Sequence, residues 1–211
     1  MRPFIHLNFA FDQWGRHCGA DGKPLAISCT MDWQRVHALR EQYDAVAVGG
    51  RTWHMDRPRL NVRADRLGRA PNRQPARVAF LGTHRYEPGP LSPPTFVIAN
   101  SPAELGASKV IRARGHDLEQ PLIELWCLGV RSMLVEGGPT LLGSFLDQDS
   151  FDRITVFVRG ASHQSAVAHA RVTLPGLPSS LVVESYGDGL ILGLVRPDGL
   201  PCSALASREA E

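Results

Sequence analysis

Two short segments of this chain have residue types and spacing that suit the binding of a phosphate group. Residues 44–53 and 132–142 each contain an apolar run, a pair of glycines and the start of a helical pattern. A glycine pair lets backbone N–H groups approach a ligand closely, and the N-terminus of the following helix favours an anion. Neither segment matches the dinucleotide or phosphate-loop glycine motifs, and either alone could be only a tight turn. Together they predict two walls of one site for a phosphate-bearing ligand.

The elements that must hold these turns are those of an α/β protein. Apolar spacing predicts strands at residues 3–11, 45–48, 76–80, 95–99, 109–112, 132–135, 153–158, 181–185 and 189–195. It predicts helices at residues 32–42, 118–128 and 140–146, with a further short helix after the first glycine turn and a long polar loop at 57–76. Ser28 or Thr30 could cap the first long helix. Helices between the early strands predict a mostly parallel central sheet flanked by helices, and strands without helices at the end predict an antiparallel C-terminal addition.

The composition is that of an ordinary globular chain. Its 211 residues are 43% hydrophobic and 21% charged, which fits one domain, expected at residues 1–205 with a frayed tail at 206–211. The net charge of +2 is too small to indicate nucleic acid, and no apolar run approaches the ~20 residues of a membrane span. Four scattered cysteines without a C-x-x-C or a His/Cys cluster predict no metal site and fit a cytoplasmic protein.

Both glycine turns and the segment between them resemble the dihydrofolate-reductase-like superfamily. Within it, the chain is similar to the reductase half of the bifunctional riboflavin-biosynthesis deaminase–reductase. It is also similar to the stand-alone diaminopyrimidine ribosyl-phosphate reductases of archaea and fungi. The most specific part of the resemblance is the Asp-x-Pro-x-Leu-x-Val-Arg pattern at residues 56–63. The zinc deaminase signature is absent from the sequence, so reduction alone is expected.

The resemblance implies roles for individual residues. The positions that match cofactor contacts are Gly49, Gly50, Thr52, Gly137, Gly138, Pro139 and Thr140. The positions that match substrate contacts are Arg40, Asp56, Leu60 and Arg63, with the two arginines on the ribose phosphate. Glu136 matches an acidic or polar position close to the substrate and the nicotinamide.

The chemistry of these side chains agrees with that assignment. Hydride transfer from a nicotinamide depends on close placement more than on a strong base. Arg40 and Arg63 could each bind a phosphate through two hydrogen bonds. Asp56 or, less readily, Glu136 could move a proton or stabilise a cationic iminium. Simpler roles stay open: Arg40 in a surface ion pair, Asp56 in a turn, and Glu136 as an ordinary acid at a helix N-terminus.

The substrate side departs from the family pattern more than the cofactor side does. Ala10 stands where a serine is usual, and Gln13 where glycine is usual. Around Lys23 the hydroxyl that would meet the sugar phosphate is missing, and Lys23 could replace it as a point charge. These changes make a related but different substrate plausible. Three histidines are expected to have structural roles: His6, His37 and His54.

The sequence therefore predicts an NADPH-dependent oxidoreductase with a dihydrofolate-reductase-like α/β fold. The expected reaction converts the ribosyl group of a (ribosylamino)pyrimidine 5′-phosphate to ribityl, as in riboflavin biosynthesis. NADPH and a homodimer follow from the resemblance alone, and Arg73, Arg77 or Arg85 could meet the 2′-phosphate of NADPH. One alternative is a reductase of another pyrimidine or pteridine heterocycle. The other is a nucleotide-binding homologue that has lost catalysis.

Overall fold

The computed structural model describes residues 1–20, 22–23, 25–84, 93–100 and 109–196. The end of the expected domain at residue 205, the expected tail at 206–211 and Arg85 lie outside the described residues. The described strands are β1 (Phe4–Asp12), β2 (Ala45–Gly49), β3 (Ala76–Gly82), β4 (Thr95–Ala99), β5 (Lys109–Arg112), β6 (Ser132–Val135), β7 (Arg153–Arg159), β8 (Val182–Tyr186) and β9 (Gly189–Val195). The described helices are α1 (Thr30–Gln42), α2 (Gly50–Asp56), α3 (Ala64–Leu67), α4 (Glu119–Cys127), α5 (Pro139–Asp147) and α6 (His163–Thr173).

The strands form one sheet in the order β5-β4-β3-β2-β6-β1-β7-β9-β8. Every pairing from β5 to β7 is parallel, whereas β9 pairs antiparallel with both β7 and β8. The chain leaves β2 toward the β5 edge and then returns to place β6 between β2 and β1. Such a reversal of strand order opens a crevice at the carboxyl ends of the strands, where ligands bind in open α/β sheets. The predicted mixed sheet with antiparallel C-terminal strands is confirmed.

Side chains of the sheet alternate between two layers. In β2, Ala45 and Ala47 join the larger core cluster, which includes residues of α4, α5 and α6. Val46 and Val48 face the smaller cluster with Trp53 of α2. This period of two is the pattern of a strand that is buried on both faces. Both sides of the sheet are therefore covered near the glycine turns.

Helix α1 packs through polar side chains to an unusual degree. Its buried residues include Asp32, His37 and Glu41. On β1, the buried His6 ring lies 2.8 Å from the Tyr43 hydroxyl through Nδ1 and 2.8 Å from Thr155 Oγ1 through Nε2. Burial, with the nearby Arg153 and Arg35 charges, lowers the pKa of His6 well below its usual value. These contacts fit the structural role expected for His6, because both ring nitrogens have partners within the fold.

Helix α6 corrects the prediction that the C-terminal strands follow one another without a helix. It lies between β7 and β8, and its buried side chains are the small Ala166 and Ala170. Because these residues are small, the helical apolar periodicity of this segment is weak and does not predict a helix. The local signal was instead the capping box, in which Ser162 Oγ accepts from Ser165 N and the Ser165 side chain bonds back to Ser162.

Two smaller expectations were also wrong. Neither Ser28 nor Thr30 caps α1: the N-cap is Cys29, whose Sγ accepts a hydrogen bond from Asp32 N at 3.4 Å. The predicted loop at residues 57–76 contains the one-turn helix α3, which ends at Gly68 in the left-handed conformation. In the described part of the chain, none of the helices has the length and apolar character that crossing a bilayer requires.

Candidate functional site

The two glycine turns lie side by side at the carboxyl edge of the sheet. Strands β2 and β6 are direct parallel neighbours, with Ala47 opposite Val135. The next residue, Glu136, donates its backbone N–H to the Ala47 carbonyl at 2.8 Å. Because parallel strands end at the same edge, the turns that follow them meet. The prediction that both turns face one site therefore has a direct structural basis in the β2–β6 pairing.

Both helices that leave these turns begin without a side-chain cap. Gly49 is the N-cap of α2 and Gly138 is the N-cap of α5, and neither position has a capping side-chain hydrogen bond. Pro139 occupies the first turn of α5, where its missing N–H is not needed. The first N–H groups of a helix need partners, and an anion can supply them. The donor set at these two starts fits the phosphates of a dinucleotide.

At two of the four glycines an added Cβ would crowd a neighbouring residue. A Cβ at Gly50 would lie 2.6 Å from the Leu81 carbonyl oxygen of β3, which is backbone and cannot easily move. A Cβ at Gly137 would lie 2.7 Å from Leu141 Cδ2. At Gly49 and Gly138, an added Cβ would meet nothing closer than 3.5 Å. Gly50 and Gly137 therefore allow each turn to pack closely against the fold. Gly49 and Gly138 leave the exposed side of each turn open to a ligand.

A cleft of about 660 Å³ opens above the two turns. Of the seven predicted cofactor residues, six line it: Gly49, Gly50, Thr52, Gly138, Pro139 and Thr140. The remaining one, Gly137, packs against Leu141 of α5. A volume of this size falls within the range of small-molecule and cofactor sites. Among the described residues, no group of three or more His, Cys, Asp or Glu side chains is arranged to hold a metal ion.

Asp56 is the predicted catalytic and substrate residue that lies in this cleft. It is the last residue of α2, so the helix carries it from the first glycine turn to the cleft wall. Burial of the carboxyl raises the pKa of Asp56, although much of the residue is exposed. A raised pKa keeps a carboxyl protonated to higher pH, which suits a proton donor.

Arg40 and Glu136 are bound to each other. Arg40 Nη2 lies 2.6 Å from Glu136 Oε2, and Arg40 Nε lies 2.9 Å from Glu136 Oε1. The two side chains are only 13% and 11% exposed. Arg40 Nη1 also donates to the Asn61 carbonyl at 3.1 Å, which ties α1 to the 56–63 segment. The pair links the predicted substrate segment to the start of the second glycine turn, and neither residue lines the cleft.

The other predicted substrate residues lie outside the cleft wall. Arg63 is exposed and pairs with Asp65 at 2.5 Å. Leu60 is buried in the smaller core cluster with φ at +52°, a strained conformation for a leucine. Lys23 is exposed in the loop between β1 and α1. The structure thus divides the predicted site into a cleft that contains Asp56 and a separate ionic cluster around Arg40.

His37 fixes the backbone of the substrate segment. Its ring is 1% exposed, and Nδ1 accepts a hydrogen bond from Arg63 N at 3.0 Å. Burial, then the charge of Arg40, lowers the pKa of His37 to about 4. A neutral ring is what this contact needs, because only an unprotonated Nδ1 can accept.

Acid is therefore expected to destabilise the fold through His37. Between its ordinary pKa of 6.5 and the folded value of about 4, the unfolded chain binds a proton there that the folded chain does not. The free energy of unfolding should fall by about 3 kcal/mol across that interval. Urea unfolding at several pH values measures it, with His37→Asn as the control, since Asn can accept near the Nδ1 position but does not titrate. Equal pH dependence in both proteins would contradict the assignment.

Two of the three arginines that could meet a 2′-phosphate, Arg73 and Arg77, do not line the cleft. Arg73 bonds Asp44 Oδ1 at 2.8 Å, immediately before β2. Arg77 lies opposite Val46 near the start of β3 and donates to the Pro93 carbonyl. The glycine turns are at the carboxyl ends of these strands, so neither guanidinium faces the cleft. The sequence placed both residues near β3 but gave no sign of which end they occupy.

Several residues of the cleft were not selected from the sequence. They include His17, Cys18, Arg51, His84, Asn100 and Asp117. The Cys18 thiol lies 3.7 Å from His17 Nε2, and burial followed by the Arg51 charge lowers the pKa of His17. Position in the sequence could have identified one of them. Asn100 directly follows β4, and the carboxyl ends of parallel strands share one edge of the sheet.

Solved structures share this architecture. RibD of Acinetobacter baumannii, form 1, superposes with a TM-score of 0.71 at 24% identity and covers 92% of this chain and 58% of its own. The Saccharomyces cerevisiae riboflavin biosynthesis reductase Rib7 superposes with a TM-score of 0.61 at 16% identity and covers 91% of this chain and 89% of its own. At these identities the likeness establishes the fold, which is the predicted dihydrofolate-reductase-like α/β fold.

Sequence relatives are closer. The 2,5-diamino-6-ribosylamino-4(3H)-pyrimidinone 5′-phosphate reductase of Methanothermobacter thermautotrophicus is 32% identical over 177 residues, covering 75% of this chain and 78% of that protein. The riboflavin biosynthesis protein RibD of Aquifex aeolicus is 29% identical over 210 residues, and this chain spans only 57% of it. The family model of the RibD C-terminal domain matches residues 3–160. The chain belongs to the RibD C-terminal domain family.

Proposed function

We propose that this protein is an NADPH-dependent reductase that converts the ribosyl group of 2,5-diamino-6-ribosylamino-4(3H)-pyrimidinone 5′-phosphate to ribityl. The main support for this proposal is the cleft, where the two glycine turns lie beside the Asp56 carboxyl. Each turn begins a helix that has no side-chain cap. Two archaeal relatives named as this reductase match most of this chain and most of their own length. The reductase family implies a nicotinamide cofactor, and NADPH is the specific part of the proposal.

The chain's residues would divide the work along the cleft. Backbone N–H groups after Gly49 and Gly138 would bind the cofactor phosphates, because both helix starts lack other caps. A bound nicotinamide supplies the hydride. Asp56 would give a proton to the opening sugar ring or stabilise its cationic iminium form. Glu136 is less suited to that step, since Arg40 holds both of its carboxylate oxygens.

The activity is tested by following NADPH consumption with the purified chain. The ribosylamino-pyrimidine phosphate should be reduced, and the product should carry an open ribityl chain by mass spectrometry. NADH in place of NADPH tests the cofactor, and dihydrofolate in place of the pyrimidine tests another heterocycle. Turnover with dihydrofolate alone would replace the proposed substrate. Tight NADPH binding without turnover of any substrate would favour a non-catalytic homologue. The homodimer stays a prediction from the resemblance, and the cytoplasmic location stays a prediction from the scattered cysteines.

Asp56→Asn should lower kcat by about 100-fold, the usual contribution of a positioned acid or base. Because the pKa of Asp56 is raised, the wild-type rate should decline as pH rises through that pKa and the proton is lost. The variant should lose this decline, while its affinity for NADPH stays close to that of wild type. Stopped-flow rates across pH measure both effects. An unaltered pH–rate profile would reduce Asp56 to a structural residue.

A further inference from the structure

Arg51 is a cation of the cleft that forms no hydrogen bond or ion pair with the part of the chain that the structure describes. It follows the first glycine pair directly, in the first turn of α2, and lines the cleft. Among the described residues it is the only lysine or arginine in the cleft lining, and no hydrogen bond or ion pair joins it to them. Arginines near a protein surface commonly pair with a carboxylate when one is close. Because no described carboxylate binds this guanidinium, its donors can bind an anionic ligand in the cleft.

Neighbouring residues show where the Arg51 guanidinium lies in the cleft. A Cβ on Gly22 would lie 3.5 Å from Arg51 Nη2, so the side chain reaches the loop between β1 and α1. Its charge contributes to the lowered pKa of His17 on the same loop. The second glycine turn is close to the next residue along α2, since an added Cβ at Gly138 would be 3.7 Å from Thr52 Oγ1. Arg51 thus extends from the first glycine turn toward the loop between β1 and α1, which also lines the cleft.

The two arginines predicted to bind phosphate each form an ion pair with a carboxylate. Arg40 is held by Glu136, and Arg63 is held by Asp65. A phosphate at either arginine would compete with that carboxylate, whereas no described carboxylate is paired with Arg51. We infer that Arg51 is the phosphate-binding arginine of this cleft, an inference that rests on the proposed function for the identity of the ligand. The phosphate could belong to the substrate ribose or to the cofactor pyrophosphate, since both carry the same chemistry.

Binding measurements with Arg51→Ala test the inference and separate the two sources. The probes are NADPH and ribose 5-phosphate, measured by calorimetry on the full chain without turnover. Loss of a charged hydrogen bond should weaken one probe by about 10- to 100-fold. A loss confined to ribose 5-phosphate assigns the substrate phosphate, and a loss confined to NADPH assigns the pyrophosphate. Unchanged affinity for both probes would overturn the inference.

Two further variants make the result specific. Arg51→Lys keeps the charge but not the planar fork, so it should restore part of the lost affinity. Arg112→Ala removes an exposed arginine of β5 that does not line the cleft, and it should bind both probes as wild type does. Wild-type turnover of the pyrimidine with unchanged binding by Arg51→Ala would refute the inference alone. Weakened binding by Arg51→Ala in a chain that reduces no pyrimidine would refute the proposed function alone.

Discussion

Arg40→Ala is expected to lower the free energy of unfolding by about 3 kcal/mol, a large part of the stability of an ordinary domain. The substitution leaves the Glu136 carboxylate without its partner at a position where the side chain is only 11% exposed. Removing one member of a buried ion pair costs more than the pair contributes, because the remaining charge is desolvated and uncompensated. The bond from Arg40 to the Asn61 carbonyl is lost as well. Urea unfolding at neutral pH measures the change.

A double variant separates the unpaired charge from the other losses. Arg40→Met with Glu136→Leu removes both charges while keeping apolar volume, so it should be more stable than Arg40→Ala. Arg63→Ala is a matched control, because it breaks the exposed ion pair with Asp65 and should affect stability much less. If the double variant were no more stable than Arg40→Ala, the desolvated carboxylate would not be the cause.

The KM values of Arg40→Ala and Arg63→Ala show which of the two arginines binds the substrate phosphate. An arginine that binds substrate phosphate should raise KM when it is removed while NADPH affinity stays constant. The ion pair at Arg40 would have to open for such a role, whereas Arg63 needs only to leave an exposed carboxylate. An unchanged KM in Arg63→Ala would remove it from the site. A raised KM in Arg40→Ala at unchanged stability would mean that the pair exchanges Glu136 for the substrate.

Local signals in the sequence predicted the two glycine turns and the elements on either side of them. A strand, a glycine pair and a helix start are neighbours in sequence, so the pattern at residues 44–53 contains all that forms the first turn. Residues 132–142 repeat it, and the parallel sheet then brings the two turns to the same edge. The fold followed from the same strand and helix patterns. Helix α6 was missed because its buried side chains, Ala166 and Ala170, are small.

The substrate half depends on contacts that sequence does not contain. Arg40 and Glu136 are 96 positions apart, and only the packing of α1 beside β6 brings them together. Arg40 and Glu136 therefore form an ion pair with each other, whereas Arg51 has no ion-pair partner among the described residues. Likewise, the edge of the sheet to which Arg77 belongs follows from strand direction and register rather than from its neighbours in the chain. The type of a residue indicates which groups its side chain can bind. The tertiary structure determines whether a neighbouring side chain already binds it.

Gly50→Ala is expected to destabilise the protein by about 1–3 kcal/mol, the usual cost of overpacking a well-packed region. The added Cβ would lie 2.6 Å from the Leu81 carbonyl oxygen and 3.0 Å from Leu81 Cα, so α2 or β3 must shift. Alanine has a better helix propensity than glycine, but that gain is at most about 1 kcal/mol. The shift would also move the first turn of α2, and NADPH affinity should fall with stability. Thermal unfolding and calorimetric titration measure the two effects.

Gly49→Ala is the matched variant one residue earlier. Its φ of −78° suits any residue, and the new Cβ would meet Leu141 Cβ only at 3.5 Å, an ordinary contact. The fold should therefore stay close to wild-type stability, while the methyl group on the cleft wall reduces NADPH affinity by obstructing the approach of the ligand. A variant that binds NADPH normally would show that the first turn does not contact the cofactor. Equal destabilisation by both alanines would instead mean that the two glycines serve the fold in the same way, and the division between a packing glycine and a ligand-facing glycine would fail.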